Sequence, residues 1–231
     1  MKKVLGAVAV LVLVLVGVGV WYFVIRDDTV EKRTVDCPPE GCAESTVETL
    51  DGTWTVTDAS ETALVITETI GGVADHEVEG NTAVTGDVTI AGDEVTDASF
   101  TVDLTTLEFT DAPPGFDVAN RARAMESTGL ETGEFPEATF VLSEPIALPD
   151  GIDSGDPVTA TATGDLTLHG VTKPITFDVE IVADGETFRL TPTEFIPIVL
   201  ADYDMTVRAP GFVADIADEG SFDFTIVLEQ A

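Results

Sequence analysis

Apolar and polar residues alternate along most of the chain after residue 50. Val88 and Ile90, for example, alternate with Asp87 and Thr89. A period of two is typical of strands in an antiparallel sheet that is buried on one face and wetted on the other. The pattern predicts strands at residues 54–56, 84–90, 100–104, 138–142, 162–168, 175–181 and 222–228.

Weaker alternation predicts two further strands at residues 63–70 and 186–193, and turn residues such as Asp150-Gly151 separate the strands. Residues 117–128 break the pattern. They are rich in Ala, Arg, Met and Glu, and Asp117 is suited to cap a helix. Strands that are all apolar on one face must close into a barrel or pair as two sheets. The inward-facing residues mix Phe with Gly and Ala, which fits either a packed core or a cavity for one ligand.

The first 25 residues have a different character. After Lys2 and Lys3, the run from Val4 to Ile25 is 22 residues long and carries no charge. A helix of that length spans about 33 Å, enough for a hydrocarbon core of about 30 Å. We therefore expect residues 1–25 to form a cytoplasmic start and one transmembrane anchor, 26–49 a stalk, and 50–231 a β domain outside the cytoplasm. A cleaved export signal is the alternative, although its apolar part is usually only about 7–15 residues long.

The charge and the few reactive residues limit the function classes. The chain has 231 residues, of which 43 are acidic and 10 basic, for a net charge of −33. A nucleic-acid partner is not expected, because phosphate binding needs a basic patch. We expect His76 in a solvated loop, His169 as a polar residue at a strand end, and residues 150–156 as a polar turn rather than a calcium loop. With no recognisable catalytic motif, the sequence predicts no catalytic residue, metal site or cofactor.

The chain has two cysteines, Cys37 and Cys42, on either side of a Pro-Pro-Glu-Gly turn. In the oxidising exterior we expect them to form a small disulfide loop. A functional thiol pair and two free thiols are the alternatives.

The segment GDLTLHGVTKPI at residues 164–175 resembles the G-x-L-T-[IL]-x-G-V-T-K-P motif of the YceI-like family. Residues 121–140 are similar to the family's arginine-bearing helix and the P-x-x-x-F sequence after it, and the first and last predicted strands also fit. The resemblance covers roughly residues 50–231. It implies an extended, lipocalin-like antiparallel β-barrel in a small exported bacterial protein. Some relatives bind long polyisoprenoid or other amphiphilic chains inside the barrel. The anchor and the acidity depart from that pattern, because many relatives are soluble periplasmic proteins.

The resemblance implies a binding protein rather than an enzyme, with a polyisoprenoid or similar amphiphile as its partner. The predicted anchor would tether it in the bacterial cell membrane. The inward apolar residues would line the tunnel: Phe100, Val102, Leu104, Phe140, Leu166, Leu168, Phe177, Phe222 and Phe224. Arg121, Arg123 and Lys173 are the candidates for holding an anionic head group. The alternative for Arg121 and Arg123 is solvated pairing with nearby acids such as Glu126, and the alternative for Lys173 is solvation at its turn. The alternative for the whole domain is a packed barrel that acts as a cell-surface structural or adhesion domain without a ligand.

Overall fold

The computed structural model describes residues 29–35, 37, 41–70, 74–110, 117–207 and 213–231. One α-helix, α1 (Val118–Thr128), and one 3₁₀ helix (Leu200–Tyr203) occur among them. Asp117 caps α1 as predicted, because its side chain accepts a hydrogen bond of 2.9 Å from the Ala119 N–H. The strands are β1 (Gly52–Val56), β2 (Glu61–Ile70), β3 (Ala74–Ala91), β4 (Glu94–Phe109), β5 (Glu137–Leu142), β6 (Ile146–Ala147), β7 (Val158–Leu168), β8 (Val171–Asp184), β9 (Thr187–Pro192), β10 (Ile196–Val199) and β11 (Val213–Gln230).

Antiparallel pairing closes the sheet into a barrel with eight strand positions around its circumference. Around the barrel the order is β3, β2, β11, β9, β8, β7, β5 and β4, and β4 pairs back with β3. β1 and β2 occupy the same position around the barrel, one beyond the other, since both pair with β3 and with β11. In the same way β6 follows β5 along β4, and β10 follows β9 along β11. Closure leaves no long unpaired edge among the described strands. Every second side chain of each strand points into the barrel.

The nine predicted strands and the helix are confirmed. Several strands are longer than their apolar alternation, such as β3, which has 18 residues. The short strands β6 and β10 were not predicted, because they are too short to show a period. Within the described part of the chain, no helix combines the length and apolar character needed to cross a bilayer. The predicted anchor at residues 4–25 lies outside the described residues.

A cluster of buried side chains occupies the end of the barrel near α1. The cluster includes Leu104 and Leu107 of β4 and Leu168 of β7. These side chains pack with Met125 of α1 and Tyr203 of the 3₁₀ helix. We call this half of the interior the plug.

A buried ion pair fixes α1 to the plug. Arg121 of α1 donates a hydrogen bond of 2.7 Å from Nη2 to Oε2 of Glu68 on β2. The Arg121 guanidinium also lies 5.7 Å from the ring centroid of Phe109. Because both charged side chains are almost fully buried, the pair holds the helix in one position across the barrel end.

The segment expected to be a stalk lies against the barrel in its described part, which we call the strap (residues 29–35, 37 and 41–49). Near its start, the Val30 N–H donates to Oε2 of Glu77 at 2.8 Å. Near its end, the Ser45 N–H donates to the Asp153 carbonyl at 2.8 Å. Between these points Cys37 and Cys42 are joined by a disulfide. The strap is therefore not a free spacer.

Arg33 is the main attachment of the strap. Its N–H donates to Oδ2 of Asp223 on β11 at 2.6 Å. Its guanidinium donates to Glu61 at 2.9 Å, to Glu79 at 2.7 Å and to Asn81 at 2.8 Å. Burial lowers the pKa of Arg33, but the hydrogen bond to Glu61 and the charges of Glu79 and Glu61 outweigh burial and raise it above its ordinary value.

Candidate functional site

A cavity of about 170 Å³ occupies the half of the barrel away from α1. Phe100, Phe140, Phe177 and Phe224 alternate with outward-facing residues and line this cavity. Although these rings lie inside the barrel, they are only half-buried, because part of each ring faces the cavity. In a packed barrel they would be enclosed. The barrel is therefore hollow on this side.

The aromatic rings are held against the cavity wall. Phe177 makes edge-to-face contacts with Phe140 and Phe224, with ring centroids 5.5 and 6.0 Å apart. Phe140 also lies over Gly164 of β7, where a Cβ would come within 2.4 Å of its Cζ. The missing side chain at Gly164 thus lets the Phe140 ring lie close to the wall and leaves the lumen open.

The structure places seven of the nine predicted tunnel residues in the cavity wall. These are Phe100, Val102, Phe140, Leu166, Phe177, Phe222 and Phe224. Leu104 and Leu168 do not line the cavity and belong to the plug. Their inward direction follows from the alternation, but they lie farther toward α1 than their strand neighbours Val102 and Leu166.

The sequence interpretation missed the residues at the end of the cavity away from α1. Leu50, Ile146, Leu148 and Ile152 line the cavity there, and all four lie in or beside the segments that cross this end. Residues 150–156 were expected to be a polar turn, and no element was predicted at residues 146–149. The available signal was the apolar Ile146, Leu148 and Ile152 among the turn residues of that loop.

None of the three head-group candidates lines the cavity. Arg121 is buried in the plug against Glu68. Lys173, near the β7–β8 turn, contacts Asp202, with Nζ and Oδ1 2.8 Å apart. Arg123 is exposed on α1. Arg121 therefore pairs with Glu68 inside the protein rather than with a solvated acid such as Glu126, and Lys173 pairs with Asp202 rather than being only solvated at its turn.

The two histidines differ from each other. The expectation that His76 lies in a solvated loop is wrong, because it is a buried residue of β3, opposite Glu68 of β2. His169 lies at the β7–β8 turn, as expected of a polar strand end, and its Nε2 is 2.9 Å from Oε2 of Glu131. Neither ring lines the cavity. Among the described residues, no group of three His, Cys, Asp or Glu side chains is placed to hold a metal ion.

A few polar residues accompany the apolar cavity wall. Thr62 of β2 is almost fully buried, and its hydroxyl is 2.6 Å from that of Thr82 on β3. Asp223 of β11 is also buried, and its carboxylate accepts hydrogen bonds from the N–H groups of Arg33 and Phe224. No described lining residue is a lysine or an arginine. The site can thus hold an apolar chain, and its described lining residues supply no cation for an anionic group.

Comparison with known proteins identifies relatives of this barrel. A UPF0312 protein of Pseudomonas putida strain W619 is 42% identical over 57 residues, which are 25% of this chain and 26% of the relative. A UPF0312 protein of Vibrio parahaemolyticus is 33% identical over 91 residues, 38% of this chain and 44% of the relative. The matched segments thus span less than half the length of these relatives.

Two solved structures have a similar fold. A polyisoprenoid binding domain from Saccharophagus degradans, implicated in plant cell wall breakdown, superposes with a TM-score of 0.59 at 17% identity and covers 77% of this chain and 98% of that domain. BcnA of Burkholderia cenocepacia superposes with a TM-score of 0.53 at 20% identity and covers 73% of this chain and 95% of that protein. The family model of the YceI-like domain matches residues 54–228. Since this match extends over nearly the whole barrel, the chain belongs to the YceI-like family.

Proposed function

We propose that this protein is a membrane-tethered binding protein that holds a polyisoprenoid or other long amphiphilic chain inside its barrel, outside the cytoplasm. The hollow apolar cavity is the observation that carries the proposal. A cell-surface domain with a packed barrel would not leave four inward-facing phenylalanines half-buried. The similarity in fold to a polyisoprenoid binding domain supports the same ligand class.

The size of the cavity limits how much of a chain it encloses. One water-sized group needs about 10–15 Å³ of such space, so a cavity of about 170 Å³ has room for roughly a dozen methylene-sized groups. That corresponds to two or three isoprene units. At about 0.8 kcal/mol for each buried CH₂, the transfer gain is on the order of 10 kcal/mol. This exceeds the lower estimates of about 4 kcal/mol for the lost freedom of association. A longer tail would extend through the end of the barrel or widen the cavity.

The strap supports a position close to the bilayer. Residues 26–29 separate the predicted anchor from Val30, which already donates a hydrogen bond to Glu77 of β3. An extended chain advances at most about 3.6 Å per residue, so the barrel would lie within about 20 Å of the end of the anchor. A tethered barrel at that distance would exchange lipid with its own membrane rather than carry it by diffusion.

Native mass spectrometry of the full chain, purified from bacterial membranes in nanodiscs, tests ligand binding. We expect an added mass of several hundred daltons that organic extraction removes. An apo mass alone, with no thermal stabilisation by added polyprenols or isoprenoid quinones, would contradict the proposal.

Alkaline carbonate extraction and protease protection of intact cells test the tether and its orientation. We expect the chain to stay with the membrane pellet. We expect its barrel to be digested only when the protease reaches the outer face of the cell membrane. Release of the chain by carbonate would argue against the anchor without affecting the ligand result.

A further inference from the structure

We infer that Thr62 donates a hydrogen bond to an uncharged oxygen of the ligand, such as a carbonyl, at the inner end of the cavity. The inference rests on the proposed function and specifies the ligand class of the same site. It predicts an amphiphile whose polar group is neutral and lies deep in the barrel, rather than an isoprenoid diphosphate.

The hydroxyl groups of Thr62 and Thr82 leave one proton without a good acceptor. They lie opposite each other on β2 and β3, with their oxygens 2.6 Å apart. One hydroxyl donates its proton to the oxygen of the other, so the proton of the second hydroxyl still needs an acceptor. If Thr82 is the donor, the acceptor that the described residues offer the Thr62 proton is the Thr82 carbonyl at 3.5 Å, well beyond the usual O–H···O distance of 2.5–3.0 Å. Because Thr62 lines the cavity, a ligand oxygen there would accept this proton.

The position of Thr62 places this donor at the inner end of the cavity. The next inward residue of β2, Leu64, belongs to the plug. On the neighbouring strand β11, Phe224 is the partner of Thr62 in the register and lines the cavity. Thr62 is also only 8% exposed, so a hydroxyl proton without a partner there has little water to bind and costs free energy until a ligand oxygen arrives.

The charges around the cavity oppose an anionic group at this position. The described lining residues include no basic side chain, and the whole chain has a net charge of −33. An anion in this apolar space would lose its hydration without gaining a cation. A neutral carbonyl or ether oxygen needs only the one donor that Thr62 supplies.

Three probes with the same 15-carbon chain test the inference: farnesene, a hydrocarbon; farnesal, with a carbonyl; and farnesyl diphosphate, an anion. Binding to the full chain in nanodiscs is measured by the fluorescence of Trp54, which lines the cavity, with Trp21→Phe to remove the other tryptophan and with empty nanodiscs as reference. Thr62→Val removes the hydroxyl and keeps the branched shape. Thr62→Ser restores the hydroxyl. Thr163→Val is the matched control, because Thr163 forms a similar hydroxyl pair with Thr176 at 3.0 Å on the outer face of β7 and β8.

We expect Thr62→Val to weaken farnesal binding about 2- to 12-fold, the range for one neutral hydrogen bond. Farnesene binding should change little, Thr62→Ser should restore the preference for farnesal, and Thr163→Val should have no effect. Farnesyl diphosphate should bind most weakly to every variant. If Thr62→Val changes farnesal and farnesene binding equally, or if the diphosphate binds best, the inference is overturned while the proposed function stands. If the unaltered barrel binds none of the three probes, both are overturned.

Discussion

Substituting Ala162 by leucine tests directly whether the barrel is hollow. Ala162 points inward from β7, is buried, and lines the cavity beside its register partner Phe177. A leucine adds three carbon groups, which would enter the cavity rather than displace neighbouring side chains. At about 0.8 kcal/mol for each buried group, the ligand-free protein should gain about 2 kcal/mol of stability. For a domain of this size, this raises Tm by about 4–8 °C.

The same leucine should weaken ligand binding, because it occupies space for about three methylene groups of the chain. The loss is again about 2 kcal/mol, which corresponds to a roughly 30-fold higher Kd. Thermal unfolding of delipidated protein and titration with farnesene measure the two effects. The combination of higher stability and weaker binding is specific to a filled cavity.

Ala122→Leu provides the matched control. Ala122 is a buried residue of α1 in the plug, where other buried side chains surround it and it does not line the cavity. Overpacking a solid core costs about 1–3 kcal/mol, so this variant should lose stability. If Ala162→Leu loses as much stability as Ala122→Leu, or if farnesene binding does not change, the interpretation of a hollow barrel is wrong.

Three further predictions concern the groups around the cavity. Glu68→Gln should destabilise the protein by about 3–5 kcal/mol, because it breaks the ion pair between the two buried side chains Glu68 and Arg121. A urea titration in which the double variant Glu68→Gln, Arg121→Met is no more stable than Glu68→Gln alone would contradict this. Arg33→Ala should lower the free energy of unfolding by only about 1 kcal/mol, since its partner Glu61 is half exposed. It should nevertheless raise the rate of amide hydrogen exchange in residues 29–35, and Lys32→Ala is the control. An unchanged exchange rate would show that the strap does not depend on Arg33. Burial, and then the charge of Asp202, raise the pKa of Tyr203, so the folded state keeps this proton longer than the unfolded chain. The stability that protonated Tyr203 contributes is complete below pH 10 and is lost as the pH rises toward the pKa of Tyr203 in the folded state. The urea midpoint should therefore fall above pH 10. An equal fall in the Tyr203→Phe variant would refute this.

The sequence by itself determined most of the strands, because alternation reports which face of a strand is buried wherever the run is long enough. It also indicated the YceI-like motif around residues 164–175 and the helix cap at Asp117. Alternation carries no information about height along the barrel axis. Val102 and Leu104 have the same inward direction in the sequence, yet one lines the cavity and the other lies in the plug.

Only the tertiary structure decided the closure of the barrel, the existence of the cavity and the roles of its polar neighbours. Closure depends on β2 pairing with β11, and this pairing connects distant parts of the chain. The strap depends on contacts such as that between Arg33 and Asp223, which are 190 residues apart. A single Thr at the inward position of Thr62 interrupts the apolar pattern without showing why. Its partner Thr82 and the empty space beside it appear only once the strands are placed side by side, because hydrogen bonds and cavities depend on distances in space rather than on position in the chain.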